Sequence, residues 1–242
     1  MRLTDLAPFP RAMAFGALAS SDYSLVYQQA NIIGKQCNTL GIHINFAPAV
    51  DINLNPANPV INTRSFGQNK WRVSLLSEQY IKGLQDNNVM AVIKHFPGHG
   101  DTDLDSHLSL PTINHSKDFI DTVDLIPFKH NIEKGVWGAM IAHLNVPALN
   151  KKYTYPASIN PDIIQGYLID KLKFEGLIFT DAMNMKGLTN DYPDGRAQVL
   201  ALKAGVDILL MPNNTDSAMN AILSAIENGE LSKQLIEEKC RK

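Results

Sequence analysis

Three of the chain's seven histidines fall within one stretch of fourteen residues, Lys94 to His107, which reads KHFPGHGDTDLDSH. Lys94 and His95 close the apolar run that starts at Val89. A charge at the end of a buried strand is costly unless it faces a site that uses it. Asp105 stands two residues before His107. A carboxylate so placed can accept an imidazole N–H, fix the tautomer and raise the basicity of the other nitrogen. With an unperturbed pKa of about 6.5 such a histidine suits proton transfer near neutrality. Asp181 closes a second apolar run, LIFT at 177–180. Alone it would serve equally well as the N-cap of a following helix. No GxSxG occurs, so a serine nucleophile elbow is absent from the sequence. A carboxylate nucleophile facing a proton donor is the layout of a retaining glycosidase.

The same stretch offers a second chemistry. His95, His99, Asp101, Asp105 and His107 carry nitrogen and oxygen donors that a metal ion could take. His95 and His99 lie on a strand end and a glycine-rich loop, not a helix, so their spacing gives no i, i+4 ligand face. A metal-dependent hydrolase is therefore the alternative, and a sugar-binding piece without turnover is another. Further polar residues read as support. His99 suits a structural hydrogen bond, His143 a satisfied or site-lining histidine, and Asp51 a carboxylate that organises a loop. Gly98 and Gly100 permit backbone turns that other residues resist.

The elements that must position these residues follow from periodicity. Short apolar runs at 42–52, 89–95, 138–144, 177–180 and 207–211 read as strands. Amphipathic stretches between them read as helices. One follows the cap candidates Ser20, Ser21 and Asp22 and is stopped by Gly41; others run over 71–85, over 118–134 with an interruption at Pro127, and over 160–173 behind an Asn160–Pro161 start. Helices over 196–204, 216–227 and 232–242 close the chain. No two-residue hairpin signal joins the strands. Repeated βα units imply an α/β fold with a parallel sheet, either doubly wound or a (β/α)8 TIM-type barrel. Asp51, Lys94–His95, His143 and Asp181 each end a different strand, which favours the barrel. A doubly wound dinucleotide fold would want GxGxxG after a strand, and none occurs. The polar segment 97–115 exceeds the roughly 2–6 residues usual for such connections, which marks a functional loop.

Composition narrows the function classes. The chain has 242 residues, 45% of them apolar and 19% charged, with 22 Lys plus Arg against 24 Asp plus Glu and a formal charge of −2. That balance excludes disorder and coiled coil and gives no basic footprint for nucleic acid. Cys37 and Cys240 form neither a disulfide framework nor a metal pattern. No apolar run approaches the roughly 20 residues of a membrane-spanning helix.

Five segments together resemble glycoside hydrolase family 3, and specifically its β-N-acetylglucosaminidase branch: INFAPAVDINLNP, NTRSFG, KHFPGHGDTDLDSHLSLP, GAMIAHLNVPAL and FEGLIFTDAMNMKGL. They occur in the family's order over nearly the whole chain. The resemblance implies a (β/α)8 barrel that removes terminal, non-reducing β-linked N-acetylglucosamine, usually from peptidoglycan fragments in bacteria. It implies no cofactor. By position, Asp181 matches the nucleophile, His107 the acid/base and Asp105 its dyad partner. Lys94, His95 and Arg64 match residues that hold the sugar hydroxyls. A histidine acid/base presents no negative charge to phosphate, so hydrolysis and phosphorolysis both stay open. Relatives of this type occur in the cytoplasm and, with signal sequences, in the periplasm or outside the cell. Some carry a further domain after the barrel. Family members also have an earlier segment of about three strands with a VDQEGG-like motif that this sequence lacks. The expectation is one partial catalytic domain over 1–242, holding the last five or so βα units of the barrel within a longer parent chain.

Overall fold

A computed structural model describes residues 8–19, 23–102 and 109–242. Four short strands form its centre: β1 (Ile44–Asn45), β2 (Met90–Phe96), β3 (Gly138–Ile141) and β4 (Leu177–Thr180). They pair in the order β1-β2-β3-β4, every pair parallel. A single parallel bridge from Phe179 to Ile208 continues the row. This order decides between the two parallel folds. A doubly wound sheet reverses direction at its centre, whereas a TIM-type barrel lays each strand beside the last. The sheet is thus an arc of a (β/α)8-type barrel.

Two strands are shorter than their apolar runs. Over 42–52 the regular ladder covers only Ile44–Asn45, and Pro48 has no N–H to give it. The chain still follows β2, because Val92 donates to the Ala47 carbonyl (3.0 Å) and Val50 to that of Lys94 (2.8 Å). At 207–211 the Leu210 N–H goes to the Thr180 hydroxyl (3.0 Å) rather than to a backbone carbonyl, so pairing reduces to the one bridge.

Side chains alternate across the arc as the strand period demands. Met90, Val92, Met140, Leu177 and Phe179 form an inner apolar layer with Ile44, Phe46, Ile208 and Leu210. Ala91, Ile93, Ala139, Ile141 and Ile178 face the other way, into the main core beneath the helices.

The helices are α1 (Ala12–Gly16), α2 (Ser24–Thr39), α3 (Lys70–Gln85), α4 (Lys117–Phe119) and α5 (Ile126–Glu133). After them come α6 (Pro161–Ile163), α7 (Lys186–Thr189), α8 (Arg196–Ala204), α9 (Thr215–Glu227) and α10 (Lys233–Arg241). The start of α2 departs from expectation: Tyr23 occupies the cap position without a side-chain cap bond, and Ser20, Ser21 and Asp22 lie outside the described residues. The expected helix over 118–134 splits. α4 runs into a π-helical stretch, Ile120–Asp124, and α5 then restarts with Pro127 in its first turn, where a missing N–H is harmless. Asn160 caps α6 by accepting the Asp162 N–H at 2.9 Å, and the helix continues in π form over Ile164–Lys171. Gly205, at φ 118°, stops α8 as expected. Among the described residues no helix is long and apolar enough to cross a membrane.

Candidate active site

The site is built on the carboxyl edge of the arc, around a buried carboxylate. Asp51 lies just beyond β1 and is fully buried. It accepts the backbone N–H of His99 at 2.8 Å and that of His95 at 3.1 Å, and meets Nδ1 of His95 at 2.8 Å. Burial works to raise its pKa, but the His95 imidazole and its hydrogen bonds, with a contribution from His99, outweigh this and hold it below the ordinary value. Asp51 therefore has the organising role expected of it, gripping both ends of the HFPGH turn.

Arg64 closes a 3-10 turn, Asn62–Arg64, in the connection from β1 to α3. Its Nη2 lies 3.2 Å from Nε2 of His95. A guanidinium can only donate, so Nε2 accepts and the ring proton sits on Nδ1, facing Asp51. The chain Asp51–His95–Arg64 fixes the guanidinium on the wall of a cavity of about 310 Å³. That volume is at the lower end of the roughly 300–1,000 Å³ usual for small-molecule sites.

Lys94 and Asp181 line the same cavity. Their sharing a face follows from alternation: Lys94 continues the inner row of Met90 and Val92, and Asp181 that of Leu177 and Phe179. His95 would fall on the helix side by the same rule. The β2–β3 register shifts between Ile93 and Phe96, and at this irregularity Lys94 and His95 both reach the cavity. Loss of water, then the charge of Arg64, pulls the pKa of Lys94 down to about 8, against the opposing pull of Asp181 and Asp51. Burial pushes Asp181 upward, but interactions with the His95 and His143 imidazoles, the Ala182 N–H and the Lys94 ammonium together keep it below the ordinary value. Asp181 is thus an ionised, half-buried carboxylate on the cavity wall.

Asp181 is not a helix cap. Its Oδ1 accepts the N–H of Ala182 at 2.8 Å, while α7 begins only at Lys186 with Met185 in the cap position. His143 is a satisfied histidine. It is buried between the Ser158 hydroxyl (2.6 Å) and the Ala182 carbonyl (3.0 Å), so it steadies the turn that carries Asp181. His99 also has a structural bond, from Nδ1 to the Thr102 hydroxyl at 2.9 Å. Burial first, then His95, lowers its pKa to about 4, so it is uncharged at neutrality.

The two glycines of the turn have different reasons. Gly98 has φ 130°, a region L-residues avoid. Gly100 needs no special angle; a Cβ there would lie 1.7 Å from the Ile52 carbonyl oxygen. Its role is close approach between the two loops.

Of the six residues singled out as site residues, Arg64, Lys94, His95 and Asp181 meet in one cavity. Asp105 and His107 lie outside the described residues. Phe46, Met140 and Leu210 supply apolar wall and were not picked out from the sequence. Their signal was available: each extends an inner strand row toward the carboxyl edge. Among the described residues no three or more His, Cys, Asp or Glu side chains stand together as a metal site.

Consecutive parallel strands and a polar cavity at their carboxyl edge define a barrel-type α/β domain with its site in the βα loops. The sequence profile of the "Glycosyl hydrolase family 3 N terminal domain" matches residues 1–242, and the chain belongs to that family. It is 38% identical over 224 residues to "Beta-hexosaminidase A" of Pseudoalteromonas piscicida, a match over 85% of this chain and 38% of that protein. It is 30% identical over 234 residues to a "Beta-N-acetylglucosaminidase/beta-glucosidase" of Cellulomonas fimi, over 93% of this chain and 41% of the relative. Among solved structures, a glycoside hydrolase family 3 β-N-acetylglucosaminidase from Paenibacillus sp. str. FPU-7 superposes with a TM-score of 0.90 at 38% identity. That superposition covers 96% of this chain and 44% of the Paenibacillus chain. The chain thus spans less than half the length of these relatives.

Proposed function

We propose that residues 1–242 form part of the catalytic domain of a retaining β-N-acetylhexosaminidase acting on terminal, non-reducing β-linked N-acetylglucosamine, with peptidoglycan fragments as the source. The observation that carries this reading is the ionised Asp181 facing a cavity shared with Lys94, His95 and Arg64. Asp181 attacks the anomeric carbon while His107, oriented by Asp105, protonates the departing oxygen. His107 then takes a proton from water, and that water releases the sugar from Asp181. Lys94 and Arg64 donate to sugar hydroxyls, and His95 holds Arg64 in place. The hexosaminidase names of the relatives support the choice of sugar.

The test is covalent trapping. A mechanism-based fluorinated N-acetylglucosamine analogue, incubated with the active enzyme and followed by peptide mapping, should label Asp181. Label on any other carboxylate removes the assignment. Failure to turn over an aryl β-N-acetylglucosaminide in the complete protein removes the activity.

A further inference from the structure

Outside the cavity, His115 sits between two carboxylates. Its Nε2 is 2.7 Å from Asp101 Oδ2, and its Nδ1 is 2.7 Å from Asp124 Oδ2. Two such short contacts to carboxylate acceptors use both ring N–H groups, which only the imidazolium has. The ring also lies against Phe119, with centroids 4.3 Å apart. Asp124 comes from the π-helical stretch Ile120–Asp124 and packs on the turn, its Cβ 3.3 Å from where a side chain on Gly98 would begin. Burial opposes charge on the ring, but hydrogen bonds to Asp124 and Asp101 prevail and raise the His115 pKa. Burial raises that of Asp124 to about 6.

An ion pair at a protein surface contributes little by itself. The place of this one in the chain gives it a different meaning. Asp101 is six residues before His107 and His115 eight after it. The ring therefore joins the two feet of the segment that carries both residues of the proton-transfer dyad. The far foot is tied to the segment after β3 as well: Ile113 donates to the Asn145 carbonyl and Asn145 to that of Pro111, both at 2.9 Å. The near foot rests on the first βα loop, where Asn55 donates to the Gly100 carbonyl and Asn58 to that of His99, at 3.3 and 2.8 Å.

We propose that Asp101–His115–Asp124 is a clasp that positions the acid/base, with His115 as a positioning residue for the reaction and not a catalytic one. The proposal rests on the reading of His107 as proton donor. Joining the feet of a segment restricts the volume its middle can explore. Proton transfer falls steeply when donor and acceptor are misplaced by as little as an ångström. None of the three clasp residues lines the cavity with Asp181, so the clasp should affect proton delivery and leave sugar binding alone.

The experiment uses the active enzyme with aryl β-N-acetylglucosaminides of graded leaving-group basicity. Variants are His115→Gln and Asp101→Ala; the second leaves His115–Asp124 intact and unties only the near foot. Both should lower kcat by about 10–10²-fold for a poor leaving group, with little change for an activated one and an unchanged KM. In a His107→Ala background neither should cost anything further. Amide hydrogen exchange over 102–113 should quicken in both. Equal losses on all substrates, or full additivity with His107→Ala, would overturn the clasp while leaving the proton-donor reading intact. If His107→Ala itself shows no leaving-group dependence, the proton-donor reading fails first and the clasp proposal falls with it.

Discussion

Asp51 holds His95 twice, by its backbone N–H at 3.1 Å and by its ring Nδ1 at 2.8 Å. A carboxylate from one βα unit thus sets both the main chain and the tautomer of a residue in the next. Asp51→Ala should therefore affect stability and activity together. It removes the acceptor of the buried N–H groups of His95 and His99, and taking the acceptor from a buried donor costs about 1–3 kcal/mol. Urea unfolding should show that loss, and sugar affinity should fall as Arg64 is released.

The pH dependence has a defined sign. Asp51 titrates lower in the folded protein than its ordinary value of 3.8. The unfolded chain then binds more protons in that range, so the stability Asp51 provides is present above pH 3.8 and lost as pH falls through the folded pKa. Asp51→Ala should flatten the acid limb of a plot of stability against pH. An unchanged limb would mean that other groups govern acid unfolding.

Lys94 should set an alkaline limit on sugar binding. Its pKa is about 8 rather than 10.5, so the ammonium proposed to donate to sugar hydroxyls is lost at mildly alkaline pH. The inhibition constant of N-acetylglucosamine should rise above pH 8, by about tenfold per pH unit at most. Lys94→Arg keeps a charge at all these pH values and should remove the limit, whatever it does to affinity at neutrality.

Loss of His107 should discriminate between leaving groups. An activated aryl glycoside needs little protonation and a disaccharide much, so His107→Ala should slow the disaccharide more, by about the 10²–10⁴-fold of acid/base catalysis. Asp105→Ala should follow the same order with smaller amplitude. Equal losses on both substrates point to a binding role.

Activity should survive exhaustive chelation. Stoichiometric zinc held by His95, His99 or His107, with activity lost on its removal, would favour the metal-dependent alternative instead.

Much of the site was legible before the structure because its residues end apolar runs. Lys94 and Asp181 could be placed at strand ends from the apolar runs they close, and alternation puts both on the inner face. Arg64 was different: only the family resemblance pointed to it, since a 3-10 turn in a long connection has no period to read. His95 defied alternation because the ladder shifts beside it, and a shift depends on the partner strand. The strands at 42–52 and 207–211 were overextended for a related reason. Apolar content marks what is buried, whereas a ladder also needs free N–H groups, which Pro48 lacks and Leu210 gives to Thr180. The π-helical stretches at Ile120–Asp124 and Ile164–Lys171 left no mark in the helical period.

The buried hydrogen bonds divide the site into two halves. Asp51 joins the first βα unit to the second through His95, and His143 of the third joins the turn beyond β4 through Ala182. The cavity lies between these pairs, with Lys94 and His95 on one side and Asp181 and Ala182 on the other. On the proposed function a sugar there would be a keystone, adding a second tie across units already joined by the β2–β3 ladder, so filling the cavity should make the four-unit arc unfold more cooperatively.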